Sequence, residues 1–257
     1  MRAAPRTLAA ILLIAAGFPL CRHAHGASRQ AEVAKYRVLR ANVDNAFLHQ
    51  FLSRQKQEVH PATGQIRDIG ARIVRATGNA FGNTCHFYIV DQSTVNALAS
   101  PGGNIFIYRG LLDLKLSRDE TAAFIAHEVS HIVQWHWLNR LQRQMDSAAL
   151  AKYTAKAYGR DSAQIAQLSR AIENLKYSQK EELDADAGGL QLMVEAGFSP
   201  KAMVSLLKKV DAKVGEPKPP KPGMTVITDH PSHQARIDML QDLLGSGKVQ
   251  RRNKRLF

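Results

Sequence analysis

The stretch Ser117-Arg118-Asp119-Glu120-Thr121-Ala122-Ala123-Phe124-Ile125-Ala126-His127-Glu128-Val129-Ser130-His131 decides how the rest of the chain is read. Ser117 and Glu120 fit a capping box, with Ser117 as N-cap and Glu120 at N3. Phe124, Ile125, Val129, Ile132 and Val133 follow at helical spacing. Residues four apart on a helix differ by only about 40° in azimuth, so His127 and His131 share a face. Glu128 lies about 100° from His127, at the margin of that arc. Two imidazoles so spaced can hold one Zn²⁺, and the adjacent carboxylate can take a proton from a metal-bound water. A chance match in a chain with 10 histidines is the bland alternative, and the capped apolar helix around the motif argues against it.

A catalytic zinc usually has three protein ligands, so a further donor must come from another element. Lys180-Glu181-Glu182-Leu183-Asp184-Ala185-Asp186 is the obvious source. Glu182 and Asp186 are four apart and share a helical face. Glu182 can ligate, and Asp186 can accept the N–H of a ligating histidine. A solvated acidic face is the competing reading of this run. Gly188-Gly189 costs about 1 kcal/mol per residue inside a helix, which implies close backbone approach, here to the motif helix.

Outward from these two stretches, the periodicity predicts helices over about 28–54, 65–76, 162–195, 200–210 and 231–244, with the motif helix running to about Met145. Cys85–Val90 alternates like a strand buried on both faces, Val95–Ala99 is a second strand, and Asn104–Tyr108 a third after the turn Ser100-Pro101-Gly102-Gly103. Gly197 suits a helix C-cap. Glu216–Gly223 is a stiff proline-rich loop. Helices, a small sheet and more helices argue for one α+β domain, which 257 residues amply support.

Arg2 and Arg6, the apolar run Leu8–Phe18 and Ala24-His25-Gly26 read as a signal peptide over 1–26, with an uncleaved anchor as the alternative. Cys21 raises a lipoprotein reading, which the bulky Phe18-Pro19-Leu20 disfavours. Removing 1–26 takes three arginines and no acid, lowering the formal charge from +13 to +10. Cys85 is then alone, so the domain over 27–247 must be held by its core and its metal rather than a disulfide. Residues 248–257 form a basic tail. A basic surface suits nucleic acid, anionic lipid or acidic protein partners, with a solvated basic surface as the favoured plain reading. No nucleic-acid motif accompanies it, and an exported chain rarely meets nucleic acid.

Five features resemble, in order, the HtpX-type and CAAX-prenyl-protease-type zinc metallopeptidases: Asn96–Gly103, His127–His131, Glu182–Asp186, His230-Pro231-Ser232 and Arg236. The match covers roughly 30–245 and is closest to the soluble, exported branch of the β-barrel assembly-enhancing proteases, without their helical-repeat module. The resemblance implies a mostly helical, zincin-like (gluzincin) domain with a small mixed sheet. It implies one zinc per chain held by His127, His131 and Glu182, with Glu128 as general base and Asp186 behind a ligand. It implies that Arg236 stabilises the oxyanion and that His230 caps the metal as a fourth ligand; a surface arginine and a helix-entry histidine are the plain alternatives for the two. It makes Asn104, Ile105, Phe106, Ile107 and Tyr108 an exposed edge strand that pairs with extended substrate. His136 and His233 are read as structural or exposed.

The expected function is therefore a periplasmic zinc metalloendopeptidase acting on unfolded or misassembled envelope polypeptides, with outer-membrane assembly machinery or the membrane surface as partners. The alternatives are a zinc-containing, chaperone-like client binder and a basic membrane- or nucleic-acid-binding protein with a fortuitous motif.

Overall fold

The computed structural model describes residues 40–45, 47–49, 51–53, 57–78, 85–144, 177–215, 233–247 and 249. The signal-like segment, the proline-rich loop with His230 and all of the basic tail but Val249 lie outside them. The described part is mostly helical with one mixed sheet of four strands.

The N-terminal helix, α1, is seen at 40–45, 47–49 and 51–53. The sheet comprises β1 (Val59–Pro61), β2 (His86–Val90), β3 (Ala97–Ala99) and β4 (Asn104–Tyr108) in the order β1-β2-β4-β3. β2 and β4 are parallel, with Phe87 opposite Ile105, and the outer pairs are antiparallel, with Ala97 opposite Ile107.

This order corrects the expectation for Asn104–Tyr108. β4 is an interior strand bonded on both sides, and all five of its residues are buried. Ile105 and Ile107 enter the main core, while Phe106 and Tyr108 face a second cluster with Phe47 and Phe51 of α1. The Phe51 and Phe106 rings lie 4.2 Å apart, centroid to centroid. An unbroken apolar run is the signature of a strand covered on both faces, not of an exposed edge. β3 is the terminal strand on this side of the sheet.

Between β1 and β2 runs α2 (Gly64–Ala76), and the short α3 (Arg109–Leu112) follows β4. α4 (Arg118–Val133) carries the histidine motif, and every residue from Glu120 to Ile132 is buried. Its capping box is formed: Ser117 Oγ accepts from Glu120 N–H at 3.2 Å and Glu120 Oε2 accepts from Ser117 N–H at 2.7 Å. Such a cap stabilises a helix by about 1 kcal/mol.

The motif helix stops at Val133, twelve residues short of the expected end. Trp135 adopts a left-handed backbone, with φ of +57°, and α5 (His136–Gln144) restarts in a new direction. The expected helix over 162–195 begins, within the described residues, only at α6 (Gln179–Ala196), capped by Ser178 in a second capping box. Gly197 closes it at φ +75°, with Phe198 N–H bonded to Met193 C=O and Gly197 N–H to Val194 C=O, a Schellman motif. α7 (Ala202–Val214) and α8 (His233–Gly245) complete the helical part of the fold.

The paired glycines of α6 let it lie against α4. A Cβ on Gly188 would sit 2.3 Å from Ser130 Oγ, and one on Gly189 2.8 Å from Met203 Cε and 3.3 Å from the His127 nitrogen. No described helix is long and apolar enough to cross a membrane.

Candidate metal centre

The close contact of α4 and α6 sets three donors face to face. His127 Nε2 lies 3.0 Å from His131 Nε2, and Glu182 places its carboxylate 3.5 Å from the first and 3.3 Å from the second. All three residues are buried, Glu182 completely, and their ligand atoms lie within 4.8 Å of one another.

The far sides of the imidazoles settle the chemistry of this set. Asp186 Oδ1 is 2.9 Å from His127 Nδ1. An ionised carboxylate only accepts, so Nδ1 of His127 is the donor in this pair, and in the neutral ring Nε2 is then the lone pair available to a cation. A lone pair and a buried carboxylate at this separation form a set that a cation satisfies. Two nitrogens and one carboxylate oxygen, with room left for water, are the donor set of catalytic zinc sites. The residues fit the metal that the sequence implies.

Arg236 on α8 ties the acidic side together. Its Nε and Nη2 donate to the two Asp186 oxygens at 2.7 and 2.8 Å, and its Nη1 lies 3.0 Å from Glu182 Oε2. Burial opposes charge at Asp186, but Arg236 outweighs it and holds the carboxyl below its ordinary range. Burial likewise opposes the Arg236 charge, and Asp186 and Glu182 overcome it, so the guanidinium stays protonated. Arg236 thus sits between the second carboxylate and the metal ligand, and it also lines the open cleft.

Burial holds His131 well below its usual pKa. The Tyr177 ring stacks on it at 3.7 Å, and Arg140 lies over the same tyrosine at 3.9 Å. His131 Nδ1 is 2.8 Å from Nδ1 of His136, a residue buried to 2 % exposure. Burial also pushes His136 down to about 4, against the weaker pull of Glu181 and Asp184. His136 was read from sequence as structural or exposed, and its contact with a ligand went unseen. In a continuous helix, five residues rotate a side chain about 140° away. Only the break at Gln134-Trp135 brings His136 back to His131.

A cleft opens in front of the donors. Asn96 and Ala97 line one wall, Phe124, His127 and Glu128 another, and Met203 a third. Asn96 is buried, yet its Nδ2 makes no hydrogen bond. Glu128 therefore faces the same space as His127, as the motif requires. The structure brings His127, Glu128, His131, Glu182, Asp186 and Arg236 together. It does not bring β4 to the cleft, and His230 lies outside the described residues.

The family model described as Peptidase family M48 matches residues 61–244. The chain is similar to the mitochondrial metalloendopeptidase OMA1 of Schizosaccharomyces pombe, 27% identical over 208 residues, covering 79% of this chain and 59% of that one. It is similar to the β-barrel assembly-enhancing protease of Escherichia coli, 27% identical over 186 residues, covering 68% and 37%. It is also similar to the metalloprotease LoiP of the same organism, 26% identical over 199 residues, covering 76% and 77%. The chain thus spans little over half of the first of these relatives and about a third of the second.

Proposed function

This chain belongs to peptidase family M48, and from that premise we propose that it is a zinc metalloendopeptidase that cleaves extended or unfolded polypeptide. The observation that carries the reading is Glu128 and His127 lining one open cleft beside the converged donors of His127, His131 and Glu182.

When bound there, zinc supplies Lewis acidity toward a carbonyl and lowers the pKa of a water. The remaining work belongs to the chain. Glu128 accepts the proton of the attacking water and returns it to the leaving amine. Asp186 fixes the tautomer of His127, and Arg236 keeps the Asp186 carboxyl charged while its Nη1 pairs with Glu182. The cleft-lining position of Arg236 also supports a share in stabilising the oxyanion. His230 as a capping fourth donor rests on its sequence position alone, six residues before Arg236.

Substrate docking moves from β4 to β3. As the terminal strand beside the cleft, β3 can take an added strand through its main chain. The buried, unbonded Nδ2 of Asn96 supplies a donor to a substrate carbonyl at the same edge. The signal-like segment supports export. One relative is named for β-barrel assembly, which supports a role in the quality control of envelope proteins, with the assembly machinery or an anionic membrane surface as partner.

The terminal position of β3 among the described strands also favours a second reading, capture of clients with cleavage secondary. Purified protein is tested on an unfolded polypeptide with and without zinc, beside Glu128→Gln. The peptidase reading expects cleavage that needs zinc, and a loss of about 10²–10⁴-fold in the variant with metal retained. Full cleavage by Glu128→Gln contradicts it. Protection of clients by a wild type that does not cleave establishes the second reading instead.

A further inference from the structure

We infer that His136 is a positioning residue for the metal centre, holding His131 in the one tautomer that can ligate. This rests on the metal site described above.

His131 has two ring nitrogens in unlike places. Nε2 faces the donors, 3.0 Å from His127 Nε2 and 3.3 Å from Glu182 Oε1. Nδ1 faces His136 Nδ1 at 2.8 Å. A hydrogen bond between two neutral imidazole nitrogens carries one proton, and that proton has two positions. On His131 Nδ1, it leaves Nε2 bare and able to bind a cation. On His136 Nδ1, it forces His131 to carry its own proton on Nε2, aimed into the donor set, where it blocks ligation. His136 supports the metal only with a bare Nδ1 and its proton on Nε2.

Three features keep this pair in register. Both rings are at least 98 % buried. Tyr177 lies flat on His131 at 3.7 Å and restricts its ring plane. The turn that delivers His136 uses a left-handed tryptophan at position 135, an uncommon conformation for a bulky side chain. A helix continued through 134–135 would turn His136 away from His131. The other ligand is supported differently. His127 has a carboxylate acceptor locked by Arg236, whereas His131 has a neutral imidazole. Two ligands of one residue type are therefore held by two kinds of acceptor.

The experiment compares wild type, His136→Leu, His136→Asn and His131→Ala. Asparagine places a carbonyl oxygen close to where Nδ1 stands, whereas leucine fills the space without an acceptor. Zinc affinity is measured by competition with a chromophoric chelator, with circular dichroism and melting of each metal-free protein as the control. Long-range ¹H–¹⁵N spectra of the zinc-loaded wild type report the tautomers.

The expected result is a zinc affinity 10–100-fold weaker in His136→Leu and within about 3-fold of wild type in His136→Asn. The spectra should show His131 protonated on Nδ1 and His136 on Nε2. Unchanged affinity in His136→Leu, beside lost affinity in His131→Ala, overturns the inference and leaves the metal site standing. A proton on His136 Nδ1 overturns it as well, and decides the matter alone if His136→Leu does not fold. A wild type that binds no zinc overturns the metal site and this inference together.

Discussion

The helix pair α4–α6 and the hairpin β3–β4 are built on opposite logic. The helix pair buries charge: Glu182 and Asp186 of α6 lie in the interior, answered by Arg236 from α8 and by the motif histidines. The hairpin buries apolar side chains on both faces of one strand and leaves a short alanine-rich strand at the rim. Its polar fastening lies at the turn. There Asp44 of α1 accepts from Gly102 N–H and Asn104 Nδ2, each at 2.8 Å, and from the Ser100 hydroxyl. One region gathers charged and metal-ligating side-chain types in the interior. The other presents an edge and is held from behind.

The contrast is broken most sharply at Arg236. Replacing it by leucine leaves two buried carboxylates without their cation, which should cost about 3–5 kcal/mol of stability in the metal-free protein. Chemical denaturation measures this, and a loss under 1 kcal/mol would mean that the centre is not charge-balanced as described. The pH dependence carries the same signature. Asp186 has its folded pKa held below the unfolded value, so its contribution is complete above the unfolded carboxylate range. It fades as pH falls through the folded value. The variant should lose that acid limb.

A smaller effect is expected at Asp44. Asp44→Ala strips the turn of its acceptor and leaves the buried Asn104 and Ser100 donors and the half-buried Gly102 N–H without it, at a cost of about 1–3 kcal/mol. Zinc affinity should stay within 2-fold of wild type, because none of these bonds reaches α4 or α6. A parallel fall in zinc affinity would show that hairpin and helix pair are one unit. The smallest effect is at Cys85, whose thiol burial pushes up to about 12. Thiol reagents at neutral pH should label it in the denatured chain and scarcely in the native one. Rapid native labelling would mean that the sheet opens on that side.

The same contrast governs what was legible beforehand. Helix ends carry local chemistry, so Ser117 with Glu120, Gly197, and the close-packing Gly188-Gly189 announce themselves in the residues. The donors His127, His131 and Glu182 come from a fixed spacing plus a family pattern. Sheet order is not local. Nothing in Asn-Ile-Phe-Ile-Tyr states which strands flank it, though the four apolar or amphipathic residues Ile105–Tyr108 in a row already spoke against an edge. The end of α4 was hidden for another reason. No glycine or proline marks Gln134-Trp135, and a tryptophan with positive φ is set by packing around it, where Arg40 and Trp137 meet the indole. Missing that turn meant missing His136.

The central claim is that His127, His131 and Glu182 hold one metal ion. Anomalous scattering at the zinc edge, from crystals of the zinc-loaded protein, tests it most directly. The account predicts a single strong peak about 2.0–2.2 Å from Nε2 of both histidines and from a Glu182 oxygen. A peak elsewhere, or none between these side chains, would contradict it.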